Sequence, residues 1–454
     1  MNYHSSGLSS VPPVAAWISW TLQEKWVWEQ ICEGQLADLN YYDGVGDVLD
    51  PTQPMSWSAN RILRASFLWK ILLEEPYASA IPVQGVRIKG AWWEDSLRCP
   101  TGKIVHDLWL QACHFEQAVQ FQGLHMTGTL SFEGSSFVQE LLLSGATIDG
   151  DLVFDGSTVS MPLNMTHIHV GGLLWAGASG CFTSIDLQGS RLDRGVTLSG
   201  VTVYGSVNLE QSEIGGDVYV EDTEILSLMS LESAMVHGHV SLKDTVIFST
   251  LIMHDITVEG SIYLRYGLTC ETVDLRGAHC HAQVTVLGTR IERMMNVEGG
   301  QIAGSLFFGG DVTCEALNLF KVSIAQNLTF VDASISDVVN LTQAQVVGGI
   351  IFGARTRLQS VNLSNAHVGG PVLFIAANVV GELNMESIHV GGSLNLYDHA
   401  DFGSVNLDGA QVRGRLAIVG ATFSRNLSMD QIQANGGVFI GEGTHFSQVS
   451  LFHP

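Results

Sequence analysis

The residues with the clearest potential for chemistry lie close to residue 100. Two carboxylates, one imidazole and three indole rings occur in a short stretch: Trp92, Trp93, Glu94, Asp95, His106 and Trp109. A pair of carboxylates can act as general acid and base in glycoside hydrolysis, and aromatic rings add flat apolar surface. Pro100 and Gly102 are typical of an irregular connection. We favour a junction between two parts of the chain here; a carbohydrate-active site is the alternative.

Two further patterns bear on metal and redox chemistry. The sequence His279-Cys280-His281 is the best candidate metal cluster, but in a strand its two imidazoles point to one side and the thiol to the other. Residues Gly44–Leu49 are the nearest match to a dinucleotide-binding loop, yet they lack the third glycine and follow no predicted strand. We therefore predict no metal, no cofactor and no catalytic residue.

A strict repeat occupies most of the chain. The phrase Leu317-Asn318-Leu319 returns 22 residues later as Val339-Asn340-Leu341, and an apolar residue stands at every eleventh position from Val86 to Val449. This makes (449−86)/11+1 = 34 half-repeats without insertion or deletion. A period this regular predicts a solenoid.

The pattern inside each half-repeat indicates strands. Positions 1, 3, 6 and 8 are mostly apolar or small, which is the alternation of two short strands. Two half-repeats then form a coil of 22 residues with four faces. We predict an all-β fold, a right-handed parallel β-helix of seventeen coils over residues 86–454.

The first 85 residues differ from the repeat. Helical patterns run from about Val14 to Leu39 and from about Ser58 to a point before Pro76. We predict that residues 1–85 form a small α-helical cap over the first coil, because an uncovered coil exposes backbone groups and core side chains. A membrane-surface role for the tryptophan-rich first helix is the alternative, and its acidic residues count against it.

Four sets of repeated residues are candidates for structural or binding roles. Glycines spaced 44 residues apart suggest a corner with positive φ or close backbone approach: Gly128, Gly172, Gly216, Gly260, Gly304, Gly348, Gly392 and Gly436. Outward asparagines one coil apart are expected to hydrogen-bond along the stack: Asn318, Asn340, Asn362, Asn384 and Asn406. Outward apolar residues form a candidate partner-binding stripe: Trp175, Tyr219, Tyr263, Phe307, Ile351 and Phe439. Carboxylates stack in a candidate acidic ladder: Glu386, Asp408 and Asp430.

Composition limits the partners. The net charge is −24, which argues against direct binding of nucleic acid or of an anionic membrane and allows a basic protein partner. The seven cysteines contain no CxxC pair and indicate a reducing, cytoplasmic location. No apolar run is long enough to predict a transmembrane helix.

The Asn-Leu phrases resemble the A(D/N)LXX units of pentapeptide-repeat proteins, which are four-sided right-handed β-helices. The chain also resembles a set of bacterial β-helical proteins in which a helical segment leads into a phrase like Gly85-Val86-Arg87-Ile88-Lys89-Gly90-Ala91. Those proteins are often labelled "membrane-associated oxidoreductase".

The expected function is that of a non-enzymatic acidic scaffold that binds protein partners. Self-association is one form of it, through the aromatic stripe or through the C-terminal end, where no helix is predicted to close the array after Leu451. The alternative is a DNA mimic that regulates a nucleic-acid-handling enzyme, by analogy with some pentapeptide-repeat proteins. A carbohydrate-active β-helix is the third possibility.

Overall fold

The computed structural model describes residues 19–44, 46, 49–99 and 102–450. It is an all-β parallel β-solenoid of about 16 turns with a short N-terminal helical segment. The predicted fold class is therefore confirmed. The start of the first predicted helix, residues 45, 47 and 48 of the glycine loop, Pro100 and Leu451 lie outside the described residues.

The N-terminal segment contains four α-helices among its described residues. Helix α1 (Leu22–Cys32) begins at a capping box, in which Thr21 and Glu24 bond each other's backbone N–H. The predicted continuation to Leu39 is wrong, because Gly34 takes φ +70° and turns the chain away from the helix. The other helices are α2 (Leu39–Tyr42), α3 (Ala65–Leu73) and α4 (Tyr77–Ala80), with 3₁₀ turns at Pro54–Ser56 and Ala59–Arg61.

The chain divides into two compact units, residues 1–205 and 206–454. Each coil contributes strands to four parallel ladders, and partners in a ladder are usually 22 residues apart, as in Val86 with Leu108. We number the ladders 1 to 4 in the order in which the chain passes through them from Val86. The alternating inward side chains are buried as the repeat predicts, except in the last coil, where Val438, Ile440 and Val449 are exposed.

In the first unit the strands of ladder 1 are Val86–Lys89, Leu108–Gln111, Leu130–Ser131, Leu152–Val153, Leu173–Ala176 and Gly195–Ser199. Those of ladder 2 are Trp92–Trp93, His114–Phe115, Ser136–Phe137, Thr158–Val159, Cys181–Phe182 and Thr202–Val203. Those of ladder 3 are Leu97–Arg98, Val119–Gln120, Leu141–Leu142, Leu163–Asn164 and Ile185–Asp186. Those of ladder 4 are Lys103–Ile104, His125–Met126, Thr147–Ile148, His169–Val170 and Arg191–Leu192.

In the second unit the strands of ladder 1 are Asp217–Glu221, Val240–Lys243, Ile262–Arg265, Val284–Leu287, Leu306–Cys314, Leu328–Asn340, Ile350–Phe352, Val372–Ile375, Leu394–Tyr397, Leu416–Val419 and Val438–Ile440. Those of ladder 4 are Glu213–Ile214, Met235–Val236, Thr257–Val258, His279–Cys280, Gln301–Ile302, Ser323–Ile324, Gln345–Val346, His367–Val368, His389–Val390, Gln411–Val412 and Gln433–Ala434.

Ladders 2 and 3 of the second unit begin as separate strands and then share long ones. The separate strands are Val207–Asn208, Glu224–Ile225, Met229–Ser230 and Ala316–Asn318. The shared strands are Val246–Ile252, Thr269–Asp274, Arg290–Asn296, Arg357–Asn362, Asn378–Asn384, Asp401–Asn406, Thr422–Ser428 and His445–Ser450. Leu306–Cys314 also continues from ladder 1 into ladder 2, and Leu328–Asn340 continues through ladders 1, 2 and 3.

The N-terminal segment joins the first coil by backbone pairing as well as by packing. A strand that the sequence did not predict, Ala37–Asp38, pairs in parallel with Ile88 and Lys89. Trp20 packs against Phe67 with ring centroids 5.0 Å apart, so that helices α1 and α3 share one apolar layer. The strand Ala37–Asp38 therefore covers the edge of the first coil.

A buried histidine secures the loop that follows α2. His114 Nδ1 lies 2.7 Å from the carbonyl oxygen of Pro51, and its ring packs edge-on against Trp57 and Trp92. Burial lowers the pKa of His114, while the bond to Pro51 and the charge of Glu116 oppose that shift. The neutral imidazole is the form that this site accepts.

We expect the stability of this junction to fall as the pH falls. Because the folded state lowers the pKa of His114, the unfolded state binds the proton more readily, and the free energy of unfolding decreases below about pH 6.5. Urea unfolding followed by tryptophan fluorescence at pH 7.5 and 5.5 measures the loss. His114→Asn keeps an N–H donor and should shrink the difference between the two pH values; an unchanged difference would contradict this role.

The glycine column marks a corner where successive coils nearly touch. A Cβ at Gly304 would lie 2.6 Å from the carbonyl oxygen of Ala282, and its φ is not positive. Close approach, and not left-handed backbone, is therefore what requires glycine there. Contacts of 2.2 to 2.7 Å would arise in the same way at Gly128, Gly172, Gly260, Gly348, Gly392 and Gly436.

Gly304→Val should lower the free energy of unfolding by about 1–3 kcal/mol, because overpacking forces the backbone apart. The matched control is Gln326→Val, since the next coil already carries a side chain at this corner. Thermal unfolding by circular dichroism compares the two variants. Equal melting temperatures would contradict the assignment of a close approach to this corner.

Candidate functional site

The outer side of ladder 1 in the second unit carries a long surface without charge. Eight successive segments, one coil apart, each present two outward residues, and none of the sixteen is ionisable at neutral pH. We call this surface the uncharged face. Its residues are Thr285, Leu287, Phe307, Gly309, Thr329, Val331, Ile351, Gly353, Leu373, Ile375, Asn395, Tyr397, Ala417, Val419, Phe439 and Gly441.

Three of the eight segments place a large residue beside a glycine: Phe307 with Gly309, Ile351 with Gly353 and Phe439 with Gly441. The ring of Phe307 lies over Gly309, where a Cβ would come within 2.6 Å of its Cε1 atom. Phe439 lies beside Gly441, is 51 % exposed, and has the Arg415 guanidinium 5.9 Å from its ring centroid. Gly309, Gly353 and Ala417 are buried beneath their neighbours, so the face is low in profile.

Three of the six predicted stripe residues, Phe307, Ile351 and Phe439, belong to the uncharged face. Tyr219 and Tyr263 lie earlier on ladder 1 among charged groups. The Tyr219 hydroxyl bonds Glu221, which raises the tyrosine pKa, and the Arg265 guanidinium stacks 4.6 Å above the Tyr263 ring. The predicted stripe is thus not uniform.

Trp175 lies on ladder 1 of the first unit and is 39 % exposed. Its neighbours on the same ladder, Val153 and Thr197, are half-buried. It is therefore described separately from the uncharged face of the second unit.

The second column of the uncharged face was not predicted from the sequence. Leu287, Val331, Ile375, Tyr397 and Val419 stand two residues after the aromatic column and point to the same side. Writing out the fourth position of every second half-repeat would have found them. Their absence from the prediction made the stripe appear to be one residue wide.

The comparisons with known proteins are consistent with this architecture. Residues 110–158 match a family described as "Pentapeptide repeats (9 copies)". The match and the parallel coils fit a pentapeptide-repeat β-helix protein. No curated protein and no solved structure matches the chain. Pentapeptide-repeat solenoids are typically structural or protein-interaction scaffolds.

The candidate sugar-binding residues lie mainly at the junction with the N-terminal segment. His106 Nε2 lies 3.0 Å from the carbonyl oxygen of Ala78, and the Trp92 indole donates to Glu116. Trp93 is fully buried, whereas Glu94 and Asp95 are exposed. His106 and Trp92 therefore contact the N-terminal segment, Trp92 through a parallel bridge with Ile62, whereas Trp93 stacks inside the coils on Phe115.

The thiols and histidines of the second unit show no metal-binding arrangement. Cys280 is buried, and His279 and His281 point outward on the other side of the strand. Among the described residues, no group of three or more His, Cys, Asp or Glu side chains is placed to hold a metal ion. All seven cysteines are free thiols, and burial raises the pKa of Cys270 to about 12.

The acidic ladder is partly engaged within the solenoid. Asp408 Oδ1 accepts hydrogen bonds from Ser428 Oγ at 2.6 Å and from the backbone N–H of Asp430 at 2.8 Å. Glu386 is exposed, whereas Asp408 and Asp430 are half-buried. Hydrogen bonds to a carboxylate relieve part of the repulsion between stacked charges.

The outward asparagines lie on ladder 3 and bond both along the chain and between coils. Asn340 Nδ2 donates to Asn318 Oδ1 at 3.0 Å, and Asn406 Nδ2 donates to Asn384 Oδ1 at 3.3 Å. Each Oδ1 also accepts the backbone N–H two residues later, as Asn362 does from Ser364. The side chain therefore closes a tight turn and links neighbouring coils.

Asn340→Ala should lower the free energy of unfolding by about 1 kcal/mol or more, because Oδ1 also accepts the Thr342 hydroxyl at 2.7 Å. Asn340→Asp keeps the acceptor but loses the donor to Asn318, so it should be milder at pH 3.5, where the carboxylic acid can donate, than at pH 7. Urea unfolding at both pH values measures this. The control is Asn395→Ala on ladder 1; an equal loss there would contradict the ladder's contribution.

Proposed function

We propose that this chain is a non-enzymatic, acidic protein-binding scaffold and that its uncharged face docks a second copy of the same chain. The uncharged face is the observation that supports this proposal. Sixteen outward positions without charge are unusual on a chain with 45 acidic and 21 basic residues. Extended apolar surface of this kind marks interaction sites on soluble proteins.

The lack of charge suits an occupant whose contact surface is also uncharged, and a second copy of the chain supplies one. Two copies that each carry −24 repel one another wherever their carboxylates meet. The uncharged face has no carboxylate, so two copies can meet there without placing acidic groups in the contact. A two-fold arrangement places the same surface on both sides of the contact, so that large residues such as Leu373 can lie opposite small ones such as Gly353.

The size of the face agrees with a weak dimer. From Thr285 to Phe439 there are (439−285)/22 = 7 coil steps, which span about 34 Å at about 4.8 Å each. With a width of about 15 Å, each copy would bury about 500 Å², so the total of about 1,000 Å² is at the lower end of specific interfaces. We expect dissociation in the micromolar range.

The second candidate is a DNA mimic that binds a basic enzyme, and the net charge of −24 favours it. Against it, the carboxylate of Asp408 already bonds groups of the next coil. The two functions respond oppositely to salt. Salt screens repulsion between two acidic copies and strengthens their contact, whereas it weakens an ionic contact with a basic partner.

Sedimentation velocity over a range of protein concentrations tests the proposal. The native chain should dimerise, and Leu373→Glu or Ile351→Glu should weaken dimerisation at least tenfold, because each places a carboxylate in the contact. The control is Gln359→Glu, which adds the same charge at an exposed position away from ladder 1.

A monomer at all concentrations, or a dimer that both glutamate variants leave intact, would overturn the proposal. A dimer lost only when residues of the last coil, such as Ile440, are changed would move the contact to the C-terminal end. A monomer that binds a basic DNA-handling enzyme with affinity falling steeply in salt would favour the DNA mimic.

A further inference from the structure

A second distinctive surface lies on ladder 4 of the second unit. Over seven successive coils from Gln301 to Asn435, none of its fourteen outward residues is acidic. Its ionisable groups are His367, His389 and Arg413. On a chain with a net charge of −24, an acid-free surface that carries only basic groups calls for an explanation.

The two histidines are held face to face. His367 and His389 are register partners on adjacent strands, their ring centroids are 4.5 Å apart, and the rings are within 4° of parallel. His389 Nδ1 lies 3.1 Å from the carbonyl oxygen of Ser387, so it is the nitrogen that donates, and Nε2 faces away from that bond. Gln345 and Gln411 flank the pair on the neighbouring strands.

Beside the rings there is a shallow groove of about 640 Å³. Its floor is the exposed backbone of Gly369 and Gly391, where the neighbouring coils carry Val347 and Arg413. A Cβ on either glycine would lie 2.3 Å from a carbonyl oxygen of the preceding coil. Glycine at these two positions therefore allows the close packing of successive coils and also leaves the floor of the groove open.

The Arg413 guanidinium closes one end of the groove. It is exposed, and within the described chain it makes no salt bridge within 4 Å. The nearest acidic side chains in the sequence, Glu386 and Asp408, lie on the turns that precede the strands, whereas Arg413 follows its strand. Arg415, two residues further on, stacks over the ring of Phe439 on ladder 1, so Arg413 is the arginine that lines the groove.

A metal ion does not fit this arrangement. Parallel rings direct their lone pairs side by side and not towards one point. No third His, Cys, Asp or Glu joins the pair among the described residues. The basic groups and the bare amide floor suit an anion better.

We infer that this groove binds a small organic oxyanion, a carboxylate or a phosphate ester, between the paired imidazoles and Arg413. Arg413 supplies a planar guanidinium that matches either group. A proton on the histidine pair supplies a second charge-assisted donor. Two protonated rings this close repel each other, and a bound anion reduces that repulsion.

Binding should therefore be coupled to proton uptake. Histidine is the side chain that changes charge between pH 5 and 8, so the affinity for an oxyanion should rise as the pH falls across that range. The site is separate from the uncharged face, because it lies on ladder 4.

Isothermal titration calorimetry of the full chain tests the inference, with inorganic phosphate and with succinate as probes. Saturable binding should be about tenfold tighter at pH 6 than at pH 7.5. Titrations in buffers of different ionisation enthalpy should show proton uptake. Phosphate alone would identify a phosphoryl ligand, and succinate alone a carboxylate ligand.

Three variants make the test specific. His367→Gln and His389→Gln copy the residue that ladder 4 already carries at Gln345 and Gln411, so they should fold normally and abolish the proton uptake. Arg413→Gln should weaken binding about tenfold, the loss expected for one charge-assisted hydrogen bond. The control is Arg425→Gln, an exposed arginine on another ladder, which should change nothing.

The inference is overturned if neither probe saturates below about 10 mM at pH 6, where the affinity would be too weak for a specific site. It is also overturned if binding is the same in the two histidine variants and in Arg413→Gln as in the native chain. Circular dichroism confirms that each variant is folded before it is titrated.

Discussion

Hydrogen bonding between adjacent parallel strands is the constraint on which the rest of this structure depends. It places each residue about 4.8 Å from the residue one coil before and one coil after it. A side chain is therefore packed mainly against its equivalents at a separation of 22 residues. Identical apolar residues at that separation stabilise the interior of the coils, as the stacked rings of Phe308, Phe330, Phe352 and Phe374 do.

The same constraint lines up surface residues that repeat at one position of the coil. An asparagine repeated at one position becomes a hydrogen-bonded row, and an apolar residue repeated at another becomes a face. Charge behaves differently, because stacked carboxylates repel unless donors such as Ser428 reach them. The outer sides of ladders 1 and 4 are free of acidic groups over seven or more coils of the second unit, whereas the strands of ladders 2 and 3 carry Glu292, Asp337 and Glu382.

Much of this arrangement could be predicted by counting. The spacing of Val86 and its equivalents predicted the parallel coils, and it placed Asn318 beside Asn340. The column of Gly304 was also predicted, although counting could not decide between positive φ and close approach. That decision depends on the distance to the Ala282 carbonyl.

The features that were missed depend on contacts between distant segments. The strand Ala37–Asp38 has no repeat pattern of its own and forms only because Ile88 and Lys89 offer it an edge. The burial of His114 depends on a loop about sixty residues earlier in the sequence. The bonds that engage Asp408 depend on side-chain conformations that the sequence does not specify.

The glycine corner has a consequence for how such a chain can change length. Glycine stands there in five successive coils, at Gly348, Gly370, Gly392, Gly414 and Gly436, whereas the coil before them carries Gln326. Gain or loss of a single 22-residue coil between Gly348 and Gly436 therefore brings only glycine corners together, and the close approach of the backbones is kept. The heritable module of this part of the fold is one coil.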